Sequence, residues 1–129
     1  MLALSILGIK ENIKENIQKL DKMDIDYFHI DVMDGQFVEN KTIEYNELKG
    51  YIKGTQTKKD IHLMVKNVKK YIDEYKQLEP EIITFHYEAV ENPKEIIEYI
   101  KKENIKVGIS IKPETKKLLK TEKMWLPCY

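Results

Sequence analysis

Apolar and polar positions along this chain alternate between two rhythms. Residues 2–7 form a short apolar run containing Ser5 and followed by Gly8, which predicts a strand leaving into a loop. Ile13, Ile17, Leu20 and Met23 then recur at helical spacing among Lys, Glu and Asp, so residues 10–22 predict an amphipathic helix. Residues 27–32 predict a second strand, Asp34-Gly35 a turn, and the polar stretch to Thr42 a loop. A short helix is expected over Tyr45–Ile52, a third strand over residues 60–65, and a helix marked by Val68, Tyr71, Ile72, Tyr75 and Leu78. Residues 81–86, rich in β-branched and aromatic types, predict a fourth strand. Pro93 suits the first turn of a helix whose buried side is Ile96, Ile97 and Ile100. Residues 106–111 predict a fifth strand, and residues 115–120 the start of another helix.

Strands alternating with helices imply parallel pairing with right-handed crossovers, an α/β fold. Two architectures fit: a doubly wound open sheet, or part of an eight-stranded (β/α) barrel. The first strand-to-helix turn has Gly8 but no glycine-rich phosphate fingerprint, which weighs against a dinucleotide fold. Polar residues gather at the C-terminal ends of several strands, namely His29, Asp31, His62 and His86, and this convergence favours the barrel.

Composition narrows the setting. The 129 residues suit one domain, and the 22 basic and 22 acidic side chains balance, so charge gives no argument for nucleic acid or membrane binding. The one cysteine, Cys128, allows no disulfide within the chain. The apolar opening is too short to span a bilayer and lacks a basic leader, so a cytoplasmic protein is expected.

Successive side chains on a strand point to opposite faces, so His29 and Asp31 share a face while Phe28, Ile30 and Val32 take the other. An imidazole and a carboxylate at the end of an apolar strand are costly to bury unless something satisfies them, and a divalent metal would satisfy both. A lone His or Asp near a strand end is as often a structural residue. His62 shifts that balance, because alternation places it with Met64 on one face of the next strand. Two histidines and a carboxylate make a credible ligand set for Zn, Fe, Mn or Co. Met33 and Met64 each lie two residues beyond a ligand, as gap fillers or as an apolar lining. His86 and Glu88 suit a supporting role toward another ligand. Ser5 would face the same interior, as a substrate contact or merely a small inward residue.

The segments FHIDVMDGQFVEN, DIHLMV, ITFHYEA and VGISIKPET resemble, in order and spacing, the successive strand motifs of ribulose-phosphate 3-epimerases. The resemblance implies the N-terminal five βα units of an eight-stranded barrel with a divalent metal at its C-terminal mouth. It implies His29, Asp31 and His62 as metal ligands and Asp31 as one of two acid/base carboxylates. Ser5, Met33, His62 and Met64 would line the site of a ketose phosphate substrate. The implied reaction interconverts ribulose 5-phosphate and xylulose 5-phosphate by removing the proton at carbon 3; an epimerase of another ketose phosphate, such as allulose 6-phosphate, is the alternative.

Some positions differ from the family pattern: Leu4 and Glu39 stand where proline is usual, and Gln36 where histidine is usual. The family's last three strands, its Pro-Gly-Phe-Gly-Gly loop and its Asp-Gly-Gly aspartate have no counterpart here. That aspartate is the fourth ligand and second acid/base group. The expectation is therefore a single partial barrel over residues 1–129, with residues 121–129 an atypical tail. It would be either an inactive fragment or a half that pairs with a second copy or with a complementing C-terminal half.

Overall fold

The computed structural model describes residues 1–115. Five strands, β1 (Ala3–Ser5), β2 (Tyr27–Met33), β3 (Lys58–Met64), β4 (Ile82–His86) and β5 (Lys106–Ser110), alternate with four helices. These are α1 (Ile13–Asp21), α2 (Tyr45–Ile52), α3 (Val68–Tyr75) and α4 (Pro93–Lys101). All strand pairs are parallel and the sheet order is β1-β2-β3-β4-β5. A doubly wound sheet reverses its strand order at a switch point. Strictly sequential order is instead that of successive (β/α) barrel units. Among the described residues the sheet is open, with β1 and β5 at its edges.

One face of the sheet carries the core. Phe28, Ile30, Val32, Ile61, Leu63, Ile83 and Phe85 point to the helix layer and pack with Ile17, Leu48, Ile52, Val68, Ile72, Tyr75, Ile96 and Ile100. Most of these are fully buried, which makes this layer the main source of stability at roughly 25 cal/mol per Å² of apolar surface removed from water. The opposite face, concave in a barrel, carries the polar alternation partners of the same strands.

Helix starts follow local chemistry. The Asn92 side chain accepts from the Glu95 N–H and Pro93 occupies the first turn of α4. Asn67 caps α3 in the same way, accepting from the Lys70 N–H. Asp21, at the end of α1, accepts from the backbone N–H groups of Gln56 and Thr57 and from the Thr57 hydroxyl, which ties α1 to the entry of β3.

Element boundaries depart from expectation at a few ends. The first strand stops at Ser5, and the apolar residues after it form a 3₁₀ turn, Ile6–Gly8, because Ile6 turns back into the core. The fifth strand ends at Ser110, and β3 begins at Lys58. The helix after Val68 gives way at Lys76–Leu78 to a 3₁₀ turn. A helical turn opens at residue 113, while the rest of the helix expected over 115–120 and the tail at 121–129 lie outside the described residues. Among the described residues no helix is long and apolar enough to cross a membrane.

Candidate metal centre

Strand register assembles the site. In a parallel ladder, paired residues present their side chains on the same face, so each pair becomes part of a row across the sheet. Ser5, His29 and Asp60 form one row, followed by Ile82 and Lys106. Asp31 and His62 lie in the next row with Thr84 and Gly108, and Met33 and Met64 pair in the row above. The polar residues thus collect toward the C-terminal ends of β2 and β3.

Three of them converge. His29 Nε2 lies 3.0 Å from Asp31 Oδ1, and His62 Nδ1 lies 3.2 Å from the same oxygen. One ligand atom from each of His29, Asp31 and His62 falls within 4.8 Å of the others. Tetrahedral coordination with bonds of about 2.0–2.1 Å sets ligand atoms roughly 3.3 Å apart. The two contacts to Asp31 are close to that spacing, so the residues present fit a divalent cation without rearrangement of the strands. The backbone fixes these positions, since each of the three stands between buried neighbours such as Phe28, Ile61 and Leu63.

The surroundings hold the rings. His29 Nδ1 is 3.1 Å from Asp60 Oδ2, so Nδ1–H donates to Asp60 and Nε2 is turned toward Asp31. The Asp60 hydrogen bond is the main reason the His29 pKa is raised; partial burial opposes it, and the charges of Asp31 and Asp60 add to it. Burial lowers the pKa of His62, against the pull of Asp31. Burial likewise lowers that of His86, and the neighbouring His62 adds to the effect. Neutral imidazoles are the form that binds metal.

Beyond these three residues, loops form the rim. The Asp34 carboxylate accepts from the N–H groups of Gln36 and Phe37 with one oxygen and from Lys66 N–H with the other, each at 2.8 Å. Gly35, at φ +74°, turns the chain where an L side chain would be strained. The loop so fixed lays the Phe37 ring 5.2 Å from His86, and Lys112 Nζ sits 4.3 Å from the Phe37 ring centre.

Ser5 falls beside His29 in register, but its side chain is exposed. Met33 and Met64 pair above the ligand rows, half-buried. His86 touches His62 directly, with Nε2 2.9 Å from Nε2. Asp60 was not among the residues singled out in the sequence. Its signal was there, since it lies two residues before His62 on the same face, but nothing in a single strand reveals that it stands opposite His29.

A parallel sheet in strictly sequential order, with polar residues gathered toward the C-terminal ends of its strands, places the chain in the (β/α)-barrel class. Comparison narrows this class to one family. The model of the ribulose-phosphate 3 epimerase family matches residues 1–124, and the chain belongs to that family of isomerases. Named ribulose-phosphate 3-epimerases are similar to it. The protein of Methanocaldococcus jannaschii is 36% identical over 104 residues, covering 81% of this chain and 44% of the relative. That of Rhodobacter capsulatus is 35% identical over 99 residues, covering 77% and 43%. That of Schizosaccharomyces pombe is 36% identical over 119 residues, covering 88% and 52%. The chain spans about half the length of these curated relatives.

Proposed function

We propose that this chain carries the metal-binding half of a site for 3-epimerisation of a ketose phosphate, with ribulose 5-phosphate and xylulose 5-phosphate as the interconverted pair. The observation that carries the reading is the convergence of His29, Asp31 and His62, with their ligand atoms within 4.8 Å. These three would hold one divalent cation, Zn, Fe, Mn or Co. A bound cation supplies positive charge where negative charge develops on the substrate oxygens.

The chain's own residues supply the rest of the chemistry on this side. Asp31, whose second oxygen is not needed by either histidine, removes the proton from carbon 3. Asp60 and His86 orient the two imidazoles. Met33 and Met64 form an apolar cover that limits protonation by stray water, and Ser5 offers a hydroxyl to the substrate at the edge of the sheet. Return of a proton on the opposite face calls for a second acid. Among the described residues β1 and β5 are sheet edges, which suits a partner that supplies it, either a second copy or a chain carrying further βα units. A cytoplasmic setting is consistent with this substrate class.

The test is an epimerase assay on purified chain with ribulose 5-phosphate and each of the four metals, alone and with a complementing C-terminal half. Turnover should appear with metal present and fall by at least a hundredfold in Asp31→Asn. Full activity in that variant would refute the role of Asp31. Conversion of allulose 6-phosphate in preference to ribulose 5-phosphate would reassign the substrate while keeping the chemistry.

A further inference from the structure

Two buried polar atoms face each other beside the candidate metal centre, and neither has a hydrogen-bond partner among the described residues. They are His86 Nδ1 and Glu88 Oε2, 3.8 Å apart. His86 ends β4, and the 3₁₀ turn Tyr87–Ala89 folds Glu88 back toward it. Leaving a buried donor or acceptor unpaired opposes folding, so such a pair calls for a reason.

The other end of His86 supplies one. Its Nε2 is 2.9 Å from His62 Nε2, with the ring planes within 17° of parallel. The nitrogens are far closer than the 5.0 Å between ring centres, so the rings meet at their edges, where N–H and lone pair lie in plane. Two neutral imidazoles sharing this contact hold one proton between them. If His62 offers Nδ1 to a cation, its proton is on Nε2. His86 then accepts at Nε2 and carries its own proton on Nδ1, aimed at Glu88.

We propose that Glu88, acting through His86, is the positioning residue that selects the metal-binding tautomer of His62. The proposal rests on the metal reading given above. It pairs with the other ligand histidine: Asp60 fixes His29 directly, whereas Glu88 fixes His62 through one intervening imidazole. Glu88 is itself held, since its Oε1 accepts from the Lys112 N–H at 2.6 Å, leaving Oε2 for His86. Burial pushes its pKa up, but hydrogen bonds from Thr115 and the Lys112 N–H outweigh this and keep it an ionised acceptor. The Phe37 ring covers His86. Tautomers exchange with no net change in protonation, one proton leaving His62 Nδ1 and one arriving at His86 Nδ1 through solvent.

The isostere Glu88→Gln isolates the effect. Its amide oxygen can stay on the Lys112 N–H, and its NH₂ then faces His86 Nδ1 and favours the opposite tautomer. Zinc affinity of the full chain, measured by competition with a chromophoric chelator, should fall about ten- to a hundredfold with the melting temperature retained. Ring ¹⁵N spectra of zinc-loaded wild type should show His62 protonated at Nε2 and His86 at Nδ1. His86→Gln, whose amide oxygen can still accept from His62 Nε2, should bind zinc more tightly than His86→Leu. Equal zinc affinity in wild type and Glu88→Gln, or His86 protonated at Nε2 in the zinc-loaded wild type, would overturn the positioning role and leave the metal reading standing. A wild-type chain that binds no zinc would overturn both.

Discussion

Removing the Asp60 carboxylate should weaken metal binding without touching a ligand. Asp60 Oδ2 sits 3.1 Å from His29 Nδ1, and both side chains are largely buried, with 22% and 31% of their surface exposed. With Asp60 present, the Nδ1 proton is held on the far side of the ring and Nε2 points at the site. Asp60→Leu removes the acceptor, frees the ring to rotate or change tautomer, and deletes the charge that makes Nε2 a better donor. Loss of such a partner costs ten- to a hundredfold in metal affinity, or about 1.4–2.7 kcal/mol. Asp60→Asn keeps an oxygen that can accept from Nδ1–H, so its loss should lie near the lower figure and that of Asp60→Leu near the upper. Zinc titration against a competing chelator measures both, and a urea melt of the metal-free chain separates binding from folding. Wild-type zinc affinity in Asp60→Leu would refute the argument that His29 is a ligand oriented by this carboxylate.

Other outcomes follow from the same geometry. Because Asp60 is the main cause of the raised His29 pKa, zinc must displace a proton from His29 below that value. Zinc affinity should therefore fall on acidification, and in Asp60→Leu the fall should begin at lower pH; coincident pH profiles would count against it. Ile72→Ala empties a fully buried position in α3 and should cost about 2–5 kcal/mol in urea unfolding; a loss below about 1 kcal/mol would place Ile72 outside the core. Asp21→Ala leaves the Thr57 N–H and hydroxyl without their acceptor, at about 1–3 kcal/mol near neutral pH. Burial raises the Asp21 pKa, but the Thr57 and Gln56 hydrogen bonds outweigh it and hold it below 3.8. Its contribution is thus present above 3.8 and lost as pH falls through the lower folded value, so the gap between wild type and Asp21→Ala should narrow in acid. A gap that stays constant into acid would show that Asp21 does not act as a charge.

What the sequence made legible was whatever depends on one strand or helix at a time. Period-two alternation placed His29 with Asp31 and His62 with Met64 on their faces, and the helical repeat placed Ile17, Ile72, Ile96 and Ile100 in the core. What depends on two strands was not legible. The pairing Asp31↔His62, with His29↔Asp60 one row below, comes from a register of 31 residues that no local pattern encodes. The place of Asp60 is hidden for that reason, and so is the identity of the residue that His86 and Glu88 support, since the His62–His86 contact needs β4 to meet β3. The first strand was overestimated because apolar residues continue through Ile6 and Leu7, and composition does not distinguish a strand from a 3₁₀ turn that buries one side chain.

The two faces of this sheet divide the labour, and the division explains why the site tolerates so much charge. His29, Asp31, Asp60 and His62 crowd onto one face where each has a polar contact, while every intervening residue from Phe28 to Val32 and from Ile61 to Leu63 packs against helices. Folding free energy comes chiefly from the helix side, so the inner face need not contribute apolar burial and can hold groups whose desolvation opposes folding. The faces remain joined by the backbone. Ile30 stands between His29 and Asp31, and it is 2% exposed. Its packing on the helix side therefore helps set the spacing of His29 and Asp31 on the other face. A site built this way has its strand positions set by the core and its ring orientations by its own polar contacts, so its polar residues are relieved of supplying apolar burial.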